Sequence, residues 1–258
     1  MSRPRLSPLA FATLLLIALM MGANHVAARL AFNSGLDVAT AVASRSLVTS
    51  LVVVVIVLSA RVSRQINRQQ ARGLVLAGLL IGLQSQCLYS AVARLPVALA
   101  LDVMGAASGL GADAHWTHIG TGVLFALAGS ASFGLALVVV QHETAGVDGR
   151  VRTACTMFLA GAMALAVIGL QGGPHWPQSA TGWWGMATLT LLYGTAFTIM
   201  FTVLPRLGVA GNSAIMNVEP VFALVLAWAI LDQAIAPVQL VGALVVVGAV
   251  MWLGLRKG

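Results

Sequence analysis

Long apolar runs separated by short polar gaps make up almost the whole chain. A helix of ~20 apolar residues, rising ~1.5 Å per residue, crosses the hydrocarbon core of a bilayer. Eight runs are long enough: about Pro8–Ala31, Val38–Ser59, Gly73–Ala93, Ile119–Gln141, Thr153–Leu170, Trp183–Leu204, Asn212–Leu231 and Val238–Leu255. A further segment, Leu95–Gly111, is apolar but short, and Asp102 lies inside it. Arg3 and Arg5 before the first run would suit a signal peptide. That run continues past Met21 through Gly22 and His25, however, and more follow, so it is expected to be a first transmembrane helix. The gaps have turn composition: Asn33-Ser-Gly-Leu-Asp37 after the first run, and Gly-Gly-Pro-His-Trp-Pro within Gln171–Gln178.

Sliding the chain against itself by 112 positions exposes an internal repeat. Gly22 meets Gly134, Val26 meets Val138, Gly73 meets Gly185 and Gly82 meets Gly194. Glycine matches are cheap in a glycine-rich chain. Arg94-Leu95-x-Val97-Ala98 falling on Arg206-Leu207-x-Val209-Ala210 therefore carries most of the weight. The expected organisation is a first repeat over residues 1–118, with three spans and a partial helix over 95–111, and a second over 119–258 with five spans. The first repeat is shorter by roughly one helix of ~20 residues and its loop. Many transporters are built from such repeats, with the substrate site at the repeat interface near the midplane.

Composition agrees with a membrane chain: 59% of residues are hydrophobic and 8% charged, against about a quarter charged in a soluble domain. The net charge of +7 would suggest nucleic acid in a soluble protein. Here the basic residues fall mainly in the gaps, where they set orientation instead. With a cytoplasmic amino terminus, Arg61, Arg64, Arg68 and Arg72 are cytoplasmic too. Arg150, Arg152, Arg256 and Lys257 join them only if Leu95–Gly111 does not cross. The positive-inside rule thus favours eight full spans with Leu95–Gly111 re-entrant or partial, and both termini cytoplasmic.

Glu219-Pro220 sits near the middle of the seventh long run. A carboxylate at that depth costs ~2.5–3.5 kcal/mol on insertion scales, so it is expected to face protein or water. Pro220 cannot donate to the carbonyl of Met216, which opens or kinks the helix beside the carboxylate. Glu219 therefore lines a cavity, or else it caps a kink or pairs with a buried Arg. Helical spacing puts Asn212 and Met216 on its face, His25 with Gly22 and Arg29 on the first span, and Gln86 with Tyr89 on the third. Thr198 is the 112-offset counterpart of Gln86. A cavity bounded by Glu219, His25, Gln86 and Tyr89 is the expectation. His25 is equally a hydrogen-bonded packing residue, and Tyr89 an interface anchor. Arg29 and Arg45 are expected to snorkel or to pair with Asp37.

His115, His118 and Asp113 share a loop with no complementary ligands, so neither a metal nor a cofactor is expected. Cys87 and Cys155 lie in apolar segments as packing residues. No nucleotide-binding loop and no catalytic constellation is present, which argues against an enzyme and against ATP as the energy source. Glu219 is then the candidate for a proton-coupled group.

Gly22-Ala-Asn24-His-Val26-Ala-Ala-Arg29 resembles the first-helix motif of EamA-type members of the drug/metabolite transporter superfamily. Arg45 and Val218-Glu219-Pro220-Val221-Phe222 fit the same pattern, over nearly the whole chain. The resemblance implies an all-α integral membrane protein of two inverted five-helix halves, here with the first incomplete. It implies a secondary transporter, an exporter or exchanger of small metabolites, amino acids or drugs through a central cavity in the inner membrane. Its partners would be a small-molecule substrate and the bilayer, with Gly22, Arg45 and Pro220 in structural roles. The family's fourth span, with a motif like that around Glu219, has no counterpart here. That leaves open a transport-incompetent or partner-dependent protein, or a homodimer that restores closure.

Overall fold

In the computed structural model of the chain, the residues described are 8–60, 62, 65–95, 116–202 and 213–255. They form eight α-helices: α1 (Pro8–Asn33), α2 (Val38–Ser59), α3 (Arg68–Arg94), α4 (Trp116–Glu143), α5 (Gly149–Leu170), α6 (Ala180–Thr202), α7 (Glu219–Leu231) and α8 (Pro237–Leu255). A 3-10 segment, Ser213–Val218, leads into α7. Among the described residues, five helices are long and apolar enough to cross a membrane: α1, α2, α3, α4 and α5. Two shorter apolar stretches, Ile215–Leu231 and Gln239–Trp252, add to them.

Polar residues at the gaps start the helices. Asp37 caps α2 through the amide of Thr40. Asn67 caps α3 in a reciprocal box with Gln70, and Asp148 caps α5 through the amide of Arg150. Each satisfies a donor that the first turn cannot satisfy itself. Gly35, at φ +94, supplies the left-handed position of the α1–α2 turn.

The contacts place the helix ends. At one end, Gln69 of α3 donates to Glu143 of α4 at 3.1 Å, and Gln70 donates to the Ala145 carbonyl at 2.8 Å. Val57 near the end of α2 packs there with Val151 and Ala154 of α5. Ala10 and Leu14 of α1 cluster with Val250 of α8. At the other end, the Gln178 amide donates to the Ser34 carbonyl at 2.8 Å. Arg29 there donates to the carbonyls of Val92 and Leu95, and Leu95 lies against Gly122 of α4. The chain thus leaves α3 and enters α4 at the same end. Leu95–Gly111 lies outside the described residues but for Leu95, as do Asp102, Asp113 and His115.

Helix packing follows the 112-residue offset, which relates α1, α2 and α3 to α4, α5 and α6. α1 packs on α6 as α4 packs on α3, α2 pairs with α5, and α2–α6 has its counterpart in α5–α3.

Asp37 does more than cap. Its carboxylate accepts from the Thr40 hydroxyl at 2.6 Å and from the His175 amide at 2.8 Å. It thereby ties the α1–α2 turn to the α5–α6 link. The expectation that it pairs with Arg29 or Arg45 is corrected: Arg29 is taken up by carbonyls and Arg45 by aromatic rings. Burial opposes ionisation of Asp37, but the Thr40 hydroxyl and amide, the His175 amide and the His175 ring together hold its carboxyl below the ordinary value. With a folded-state pKa below the unfolded one, its stabilisation is present above the unfolded pKa and is lost as pH falls through the folded pKa. Asp37→Ala is expected to lower stability at neutral pH by about 1–2 kcal/mol. The gap to wild type narrows below about pH 4, and thermal melts across pH check it.

Candidate functional site

The site begins where α7 begins. Proline lacks an amide hydrogen and blocks the preceding turn, so it is tolerated in the first turn of a helix and not further in. The run from Asn212 to Leu231 accordingly breaks: Ser213–Val218 is 3-10, and α7 starts at Glu219-Pro220. Glu219 sits at the helix amino terminus, where the dipole favours a negative charge. This is the opened helix expected from the sequence.

Gly22 brings α1 against that break. A Cβ on Gly22 would lie 2.9 Å from the Ala223 amide nitrogen and 3.0 Å from the Glu219 carbonyl oxygen. Only glycine permits the approach, and it sets His25, one turn on, facing the carboxylate. His25 Nε2 and Glu219 Oε1 are 3.2 Å apart. His25 is buried, and among the described residues its Nδ1 has no hydrogen-bond partner.

Behind this pair lies an aromatic and basic layer. Tyr89 of α3 stands edge-on to His25, with ring centroids 6.0 Å apart, and donates to Asn24 Oδ1 at 3.0 Å. Arg45 of α2 packs its guanidinium carbon 4.2 Å from the Tyr89 ring centroid and 3.9 Å from that of Tyr193 on α6. Such contacts offset part of the cost of burying a cation.

A cavity of about 600 Å³ opens onto these groups, within the usual range for small-molecule sites. Its polar walls are His25, Arg45, Gln84, Tyr193, Asn217 and Glu219. The rest is apolar, including Met21 of α1, Leu88 of α3, Phe133 of α4, and Phe197 and Met200 of α6. It can hold a small solute with an apolar body and one or two polar groups.

Of the residues singled out in the sequence, Glu219, His25, Met216, Arg45 and Pro220 line this cavity. Gly22 packs at its edge. Tyr89 is fully buried one layer behind. Gln86 and Thr198 are not among the lining residues: the amide nitrogen of Gln86 is buried without a partner among the described residues, and the Thr198 hydroxyl donates to the Gly194 carbonyl on its own helix. Asn212 lies outside the described residues.

The faces that do reach the cavity, Gln84 with Leu88 and Tyr193 with Phe197, were missed. The polar Gln86–Tyr89 pair drew attention to another face of α3. The offset held the signal: Met21 and Phe133, Gln84 and Ala196, and Leu88 and Met200 are each 112 residues apart, and all six line the cavity.

Residues 120–255, from within α4 to the end of α8 and including the Glu219-Pro220 break, match the EamA-like transporter family. That is more than half of the 258-residue chain. No curated protein matches the chain.

Proposed function

The chain belongs to the EamA-like transporter family, and from that premise we propose that it is a proton-coupled secondary transporter, exporting or exchanging small organic solutes through the cavity at Glu219. The family places it among multi-pass membrane transporters of the drug/metabolite superfamily. The observation that supports the finer reading is the His25–Glu219 pair, 3.2 Å apart, at the junction of the 3-10 segment and α7.

The proposed mechanism follows from that geometry. An ionised Glu219 holds the first turn of α7 to α1 through His25. Protonating the carboxyl weakens this attraction and frees the turn to shift, with the 3-10 segment as the compliant joint. Proton and solute then compete at, or are linked through, one cavity, and no nucleotide is consumed. Intramembrane carboxylates of this kind are the usual proton relays of transporters.

The proposed architecture is eight spans in two inverted repeats, the first incomplete. The matched helix packing and the cavity pairs 112 residues apart support it. The proposed orientation puts both termini in the cytoplasm of an inner-membrane protein, because Arg68, Arg150 and Arg152 share one end of the bundle. A reporter fused at Arg150 is expected to read cytoplasmic; a periplasmic readout contradicts the orientation.

One observation favours a second reading, a transport-incompetent or partner-dependent protein. Between Leu95 and Trp116 the chain has too few residues for the two spans that follow α6 in the second half, given ~20 per span.

The test is thermal stability of the purified protein against a panel of amino acids, other metabolites and cationic drugs, since a ligand stabilises the state that binds it. Selective stabilisation supports an intact site. A well-folded sample stabilised by no member of the panel favours the second reading.

A further inference from the structure

We propose that Arg45 is a carboxylate-binding group, so that the transported solute must carry a carboxylate beside an apolar body. This rests on the transporter reading and adds the substrate's chemistry to it. Arg45 is 2% exposed, yet it lines the cavity. A guanidinium does not give up its proton in a protein, and burying one without a counter-charge is costly.

Among the described residues no carboxylate lies within ion-pair distance of Arg45; the cavity's own carboxylate, Glu219, is paired with His25. What holds the cation is the two tyrosine rings, at 4.2 and 3.9 Å. Ring contacts occupy the face of a guanidinium and do not by themselves saturate its in-plane donors. Among the described residues the Nε of Arg45 has no hydrogen-bond partner. A planar fork with a spare Nε donor, fixed in place and facing a cavity, matches the geometry of a carboxylate. A compact ammonium would not supply that match, and a purely cationic solute would be repelled.

The walls complete the argument. Met21, Phe133, Phe197 and Met200 offer an apolar bed around the polar cluster. A monocarboxylate with a hydrocarbon body satisfies both; an amino acid adds an ammonium that Glu219 can receive.

The experiment compares matched probes on the purified full-length chain by thermal stabilisation: leucine, isocaproate (no amino group) and isoamylamine (no carboxylate), with phenylalanine, hydrocinnamate and phenethylamine as the aromatic set. Wild type is expected to respond to a carboxylate-bearing probe at concentrations roughly tenfold or more below its matched amine, the scale of a hydrogen bond to a charged group. Arg45→Gln is expected to remove that advantage, weakening the carboxylate's effect and not the amine's. Where the variant does not fold, the comparison among probes on wild type decides alone. An amine as good as its carboxylate partner, no response to any carboxylate, or an undiminished response in folded Arg45→Gln overturns the proposal. Stabilisation by the amines or by another solute of the wider panel leaves the transporter reading standing; it is silence across that whole panel, or a cavity open to one face only, that strikes it.

Discussion

Gly22→Val is expected to lower the melting temperature of the purified protein by about 5–10 °C and to pull Glu219 away from His25. The new side chain has nowhere to go, since its first carbon already meets the Ala223 amide nitrogen at 2.9 Å and the Glu219 carbonyl oxygen at 3.0 Å. Both obstacles are backbone, so no rotamer change relieves them, and α7 must move off α1. Overpacking of this kind costs ~1–3 kcal/mol, and about 2–4 °C accompanies each kcal/mol in a chain of this size. Gly134→Ala is the control. A Cβ there meets nothing within 4 Å, and replacing a helical glycine by alanine gains about 0.5–1 kcal/mol. Equal melting temperatures for Gly22→Val and wild type would mean that α1 and α7 are not packed as described.

Glu219→Gln is expected to leave the protein folded but abolish the pH dependence of transport, with flux falling roughly tenfold or more, the scale set by losing a charge-assisted contact. Glutamine keeps the size of the side chain and can still accept from His25 Nε2. What it loses is the charge and the ability to take up a proton. The measurement is solute flux into proteoliposomes against pH for both proteins, using a solute found by the stabilisation panel. A wild-type pH profile in the variant would remove the carboxylate from the coupling step.

How much of this could be read beforehand varies from residue to residue. Helix positions were legible because apolar run length is a strong signal: all eight long runs contain helix, with α2 bounded as expected at Val38 and Ser59. The break at Glu219 followed from proline's missing donor, a local property. Which face of α3 meets the cavity was not legible. Gln84 and Gln86 are both polar residues on an apolar helix, and only the rotation set by α4 and α5 chooses between them. The fate of Arg45 was equally hidden. Its partners, Tyr89 and Tyr193, come from helices far along the chain, while Asp37, near in sequence, is held by Thr40 and His175. Nearness in sequence misled where packing decided.

The cavity at Glu219 is expected to be a transport pathway reaching both sides of the membrane. Cysteine accessibility tests it without knowing the solute. Met200 lines the cavity, so Met200→Cys is made in a chain with Cys87→Ala and Cys155→Ser, and a membrane-impermeant maleimide is applied to either face of oriented vesicles. Modification from each face in separate exposures is the predicted result. Modification from one face only, or from neither, would contradict it.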